Sequence, residues 1–307
     1  DRLRSRGLGD VYKRQIMKIA VVTDSGSGIE KSDIGNLFVI GMPFRIDGCE
    51  YFEGVNIDKR TFFDIMRNKE ASFQTSQPSL YNVKELWDNI LKEYDAIIHI
   101  ALSSGLSASY KQTYALALDE YQGKVFVPDH HRVSVTQRGA IDSALSMIED
   151  GYSPKEICDF IENTGLNSSI YIMVDTLKFL KKGGRVTPSA AALGELLRIK
   201  PVLQIQGGRL DAYKKVISTG VAKKTLVNAL INDITTRFKT QYEEGRLGFG
   251  IAHSDDIEGA HEVEAMILKK LPKLKFNHID YLSNLISCHT GPDAIGVGCY
   301  EIYKRNN

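Results

Sequence analysis

From Lys18 onward, short apolar β-rich runs alternate with stretches of helical periodicity, and that alternation restricts the chain to a few architectures. Lys18 to Thr23, Leu37 to Phe44, Ala96 to Leu102 and Val125 to Pro128 read as strands, with helices between most of them. Strands separated by helices do not close as tight hairpins. They form βαβ crossovers, which make a largely parallel sheet flanked by helices. Helix signals support this: Ile141, Leu145 and Ile148 share one face, and Ser153 with Glu156 forms a capping box before Ile157, Phe160 and Ile161.

Near residue 165 the pattern changes. Lys200 to Gln206 and Leu210 to Val216 flank Gly207-Gly208, a two-residue hairpin signal. A long helix follows, with Val227, Leu230, Ile234 and Phe238 at helical spacing. Then come a strand (Leu247 to His253), a helix (Ile257 to Leu271) and two closing strands. The expected fold class is α/β with two lobes. Residues 17–165 form the N-terminal lobe around a largely parallel sheet, and residues 166–307 form a C-terminal lobe with a mixed sheet and helices. A chain of 307 residues is long enough for two cores and a shared cleft. Residues 1–16 precede the first methionine, Met17, and are expected to be a non-native leader.

The formal net charge is +1, but the leader carries five basic side chains (Arg2, Arg4, Arg6, Lys13, Arg14) against Asp1 and Asp10, so the remainder sits near −2. Such a balance gives no large positive field, which argues against nucleic acid as a partner. The longest apolar run, Ala96 to Leu102, is short and interrupted by His99, so no stable membrane insertion is expected. Cys49, Cys158, Cys288 and Cys299 form no C-x-x-C pair, which fits reduced thiols in the cytoplasm and no structural metal. His99 reads as a hydrogen-bonded strand residue, His253 as part of a helix start, and Lys223-Lys224 and Lys269-Lys270 as wet helix faces.

Four segments stand where ligands of open α/β sheets bind, at the ends of strands. They are Thr23-Asp24-Ser25-Gly26, Thr75-Ser76-Gln77-Pro78-Ser79, Ser103-Ser104-Gly105-Leu106-Ser107 and His289-Thr290-Gly291-Pro292. In the second and third, hydroxyls precede a helix start, a setting suited equally to N-capping and to holding an anion. Gly183-Gly184 follows the Leu177 and Leu180 face and reads as a helix C-cap, with Lys181 and Lys182 complementing the dipole.

Taken in order, these segments resemble the DegV family, bacterial proteins that bind fatty acids and present them to a separate fatty acid kinase. Further matching segments are Lys182-Gly-Gly-Arg-Val186, Leu193-Gly194 and Leu197-Arg-Ile-Lys-Pro-Val-Leu203. The resemblance spans nearly all of Met17 to Lys304. It implies a long-chain fatty acid with its tail in an apolar tunnel between the lobes and no cofactor. It also implies a carboxylate site built from Thr75, Ser76, Ser103, Ser104, His289 and Arg185. The family pattern commonly has Thr, Gly and Gly where this chain has Gly26, Ala108 and Asp293, and Asp-Ser where it has Asp129-His130-His131. The implied role is that of a non-catalytic lipid carrier. A competing reading is a hydrolase or phosphotransferase with Ser25 or Ser104 as nucleophile and His289 as base, although the chain lacks both G-x-S-x-G and G-x-x-x-x-G-K-[ST]. A structural or regulatory interaction protein is a third reading, which leaves the hydroxyl motifs without a purpose.

Overall fold

The runs from Lys18 to Thr23 and from Ala96 to Leu102 give strands buried along their whole length, as a sheet covered on both faces requires. The computed structural model describes residues 17–192 and 199–305, so residues 1–16, Leu193-Gly194 and Leu197-Arg198 lie outside the described residues. In chain order the first part runs β1 (Ile19–Asp24), β2 (Leu37–Ile40), β3 (Phe44–Ile46), β4 (Cys49–Tyr51), α1 (Lys59–Asn68), β5 (Phe73–Thr75), α2 (Leu80–Ile90), β6 (Ala96–Ile100), α3 (Ser109–Glu120), β7 (Val125–Phe126), α4 (Val135–Glu149) and α5 (Pro154–Thr164). It continues with β8 (Ser168–Met173), α6 (Lys178–Gly183), α7 (Pro188–Ala192), β9 (Lys200–Ile205), β10 (Leu210–Val216), α8 (Thr219–Thr235), α9 (Lys239–Glu243), β11 (Leu247–His253), α10 (Ile257–Lys270), β12 (His278–Tyr281), α11 (Asn284–Thr290) and β13 (Ile295–Glu301).

The first sheet has the order β2-β1-β6-β7, and every pairing in it is parallel. The second has the order β10-β9-β8-β13-β11-β12 and is mixed, since β11 and β12 alone run parallel. Both sheets are flanked by helices, as the alternation predicts. The Ser153–Glu156 capping box is present at α5. The β9–β10 hairpin is antiparallel, but four residues rather than two separate the paired Ile205 and Leu210. Gly207 and Gly208 supply the left-handed backbone within that turn. Lys223, expected on a wet face, is buried and paired with Glu262 at 2.7 Å.

The expected Leu37–Phe44 strand is in fact two strands. It breaks at Gly41-Met42-Pro43, where proline lacks the N–H that a continuing ladder requires. β3 leaves the main sheet and pairs antiparallel with β4 and β5 in a small third sheet. Phe44, Ile46, Phe62, Phe63 and Met66 bury this sheet and α1 against Cys288 of α11 and Phe179 of α6. The small sheet is thereby fastened to helices of the second lobe, and Thr75 arrives beside α11.

Helix α4 lies between the two large sheets. Ile141, Ala144 and Met147 pack with Val21, Ile98 and Ile100 of the first sheet. On the opposite side, a β-carbon at Gly139 would fall 2.0 Å from the Tyr300 ring of β13, so no larger residue fits there without a shift. The fully buried Arg132 guanidinium donates to the carbonyls of Thr164 (2.6 Å) and Glu301 (3.2 Å), joining the end of α5 to the last strand. Burial pushes its pKa only down to about 10, so it stays charged at neutral pH, with carbonyl dipoles answering that charge.

Asp24 closes β1 with a carboxylate wholly out of water. It accepts from Gly26 N (2.9 Å), Leu102 N (2.6 Å) and Gln137 Nε2 (3.3 Å). Burial pushes its pKa up to about 6, and these three donors pull the other way. One anion thus fixes the loop after β1, the loop after β6 and α4 relative to each other. Asp24→Ala leaves two buried backbone N–H groups without partners, and a loss of about 3 kcal/mol or more is expected in denaturant unfolding. A change below about 0.5 kcal/mol would remove Asp24 from this role.

Candidate functional site

A cavity of about 420 Å³ lies between the sheets. Its walls are mostly apolar, from Met42, Leu102 and Val133 on one side to Ile170, Ile172 and Leu285 on the other. These side chains belong to one buried cluster shared by both lobes. Hydroxyls, amides and charged groups also reach the cavity, from Thr75, Ser76, Gln77, Ser107, Arg185 and His289. The size falls in the range of about 300–1,000 Å³ usual for small-molecule sites.

His289 sits in the last turn of α11, not in a loop between strands as the sequence suggests. That helix starts at Ser283, whose Oγ accepts from Ile286 N at 3.3 Å, and it buries Leu285 and Cys288. The next inward position presents His289 to the end of β5, where Nε2 lies 2.9 Å from Thr75 Oγ1. Buried Nδ1 has no partner among the described residues and abuts Gly183, where a β-carbon would lie 2.1 Å away. A buried, unpaired donor is costly, so the favoured tautomer leaves Nδ1 unprotonated and carries hydrogen on Nε2. Nε2 then donates to Thr75, which frees the threonine O–H to donate to another acceptor.

Burial, with a smaller contribution from the Arg185 charge, pushes the His289 pKa down to about 4. Arg185 follows Gly184, which caps α6 in the left-handed conformation as the glycine pair suggests. Its side chain is exposed yet lines the cavity. Ser76 is also exposed, while Thr75 and His289 are half-buried. This polar group of residues therefore connects the apolar interior to the surface.

The structure gathers Thr75, Ser76, Arg185 and His289 at the cavity, whereas Ser103 and Ser104 do not line it. Ser103 is buried and accepts from Gly105 N at 3.3 Å, and Ser104 Oγ lies 3.4 Å from His131 Nδ1. Ser107 of the same segment reaches the cavity in their place, together with Gln77, Ser134 and Thr290. Ser25 Oγ accepts from Met42 N at 3.1 Å. Neither serine expected of a nucleophilic mechanism is hydrogen-bonded to His289. His99 accepts from Trp87 Nε1 at 3.2 Å, and Asp256 caps α10 beside His253, as the sequence indicates. Among the described residues no group of three or more His, Cys, Asp or Glu is placed to hold a metal. No described helix is long and apolar enough to cross a membrane.

Residues 18–301 match the sequence model described as the DegV family. The chain belongs to the DegV family. A DegV domain-containing protein of Deinococcus radiodurans is 30% identical over 285 residues, covering 92% of this chain and 98% of that one. A fatty acid binding DegV family protein from Streptococcus agalactiae has a similar structure, with a TM-score of 0.82 and 26% identity over 94% of this chain and all of that one. A DegV family protein from Thermus thermophilus, described by its fatty acid binding, aligns with a TM-score of 0.80 and 26% identity over 93% of this chain and all of that one.

The positions read above as departures from the family pattern sit in different local settings. A side chain at Gly26 would press on Asp24 Oδ1, 2.8 Å from the β-carbon position. Asp293 adopts the left-handed backbone (φ 59°) that glycine takes more easily, and its carboxylate accepts from Arg67 Nη2 at 2.7 Å. Ala108 has an ordinary helical backbone and lines the cavity. His131 engages Ser104, and His130 is buried with Nε2 2.6 Å from the Ala101 carbonyl.

In the ligand-free protein, the His289 ring is expected to titrate near pH 4 by NMR. Its folded pKa lies below its unfolded value of 6.5, so its contribution to stability is full above pH 6.5 and lost as pH falls toward 4. Gly183→Ala displaces the ring and should return the titration toward 6.5. An unshifted ring in the parent protein would contradict the buried geometry.

Proposed function

We propose that this DegV chain binds one long-chain fatty acid and presents its carboxylate to a separate fatty acid kinase, which forms the acyl phosphate for lipid metabolism. The observation that carries this reading is an apolar cavity reaching the surface past Thr75, Ser76, Arg185 and His289. The fatty acid binding named for the Streptococcus agalactiae and Thermus thermophilus proteins supports the same ligand class.

The tail supplies the affinity. About fifteen methylenes at roughly 0.8 kcal/mol each give on the order of 12 kcal/mol gross, before association and ordering costs. A carboxylate drawn from water needs donors or it protonates, and the Thr75 hydroxyl, Ser76, Ser107 and the Arg185 guanidinium are the groups assigned to it. Neutral His289 orients Thr75. Because Arg185 and Ser76 are exposed, the head group remains within reach of a second protein's active site. The chain acts as a carrier, with phosphoryl transfer left to the kinase.

Palmitate titration tests the assignment. Thr75→Ala should weaken binding by about 1–3 kcal/mol, roughly 5- to 150-fold, while Ser104→Ala should leave it within about twofold. Acyl phosphate should appear only when a fatty acid kinase and ATP are added to the loaded protein. Equal losses for the two variants would contradict the head-group assignment, and acyl phosphate formed without the kinase would contradict the carrier role.

A further inference from the structure

Successive residues of β13 face opposite sides of the second sheet. Ile295, Val297 and Cys299 are buried among side chains of α8 and α10, which leaves Gly296, Gly298 and Tyr300 toward α4 and the cavity. The strand register sets Gly298 opposite Gly250 of β11, and Gly296 between Ala252 of β11 and Ile172 of β8.

The two glycine rungs meet different surroundings. A β-carbon on Gly250 would lie 2.6 Å from Val135 Cβ, and one on Gly298 would lie 3.2 Å from side-chain carbons of Val135 and Thr136. The seating of α4 on the sheet therefore requires both to be small. A β-carbon on Gly296 would meet nothing nearer than a side-chain carbon of Ile172 at 3.7 Å, an ordinary contact. Gly296 is also outside the left-handed region, so its backbone does not call for glycine. Yet Gly296, Ala252 and Ile172 all line the cavity. Glycine within a strand weakens it, and among the settings that favour it there is the close approach of a ligand to the backbone.

Resting on the reading that an acyl chain occupies this cavity, we propose that Gly296, with Ala252 beside it, forms a notch in the cavity floor that receives methylenes of the tail and sets the longest chain the protein accepts. A side chain at 296 enters the notch and displaces methylenes, each contributing about fourfold in affinity. Chains too short to reach the notch are unaffected.

Dissociation constants for saturated fatty acids from octanoate to stearate, measured on the full chain and on Gly296→Ala and Gly296→Val, test this. The expected result is a graded loss confined to the longer chains, about fourfold for Ala and tenfold or more for Val, with octanoate affinity unchanged. Retained octanoate binding also reports that each variant is folded, and if Val prevents folding the Ala variant carries the test. Equal loss at every length, or none, would overturn the role of Gly296 while leaving fatty acid binding intact. Failure of the parent chain to bind any member of the series would overturn both.

Discussion

The geometry of the cavity depends on an anion that does not line it. Asp24 gathers two backbone N–H groups and the Gln137 amide around one buried carboxylate. Those donors come from the loop after β1, the loop after β6 and α4, and the last two contribute cavity wall. Leu102, whose N–H is held by Asp24, is itself a wall residue. Withdrawing a carboxylate from water is unfavourable, as its raised pKa indicates, and the alternative is a set of orphaned amides at the centre of the molecule. Position is fixed here by satisfying polar groups, while affinity is left to the apolar surfaces around them.

Helix α4 applies a related constraint on a larger scale. It packs branched side chains on the first sheet and lies almost directly on backbone in the second, where Gly250 and Gly298 accept Val135. This helix separates the two large sheets, and the cavity occupies the space near its N-terminal end, where Val133, Ser134 and Val135 contribute wall. The small third sheet completes the enclosure by carrying Thr75 to His289. Arg67 of α1 adds ion pairs to Asp255 and Asp293, tying that unit to loops of the second lobe.

How much of this was legible in the sequence follows from how local each signal is. β1 and β6 are largely apolar runs, and the Ser153 capping box is written within four residues, so both could be read directly. The β3-β4-β5 sheet could not, because each of its strands has three residues and β3 pairs with β5 across α1. Helix α11 spans seven residues, too few to establish a period, so His289 appeared to lie in a loop. Thr75, Ser76, Arg185 and His289 came from the order of the motifs. That Ser107 lines the cavity and Ser103 and Ser104 do not needed the turn geometry, since three hydroxyls within five residues offer the same chemistry. Cavity walls of Leu, Ile and Val are indistinguishable from core until the two sheets are brought together.

The most direct test of the central claim is native mass spectrometry of freshly purified protein, followed by extraction after denaturation. The account predicts one long-chain fatty acid per chain, retained under native conditions and released on unfolding, because an enclosed tail dissociates slowly. A chain that carries no adduct and takes up no added palmitate would contradict it.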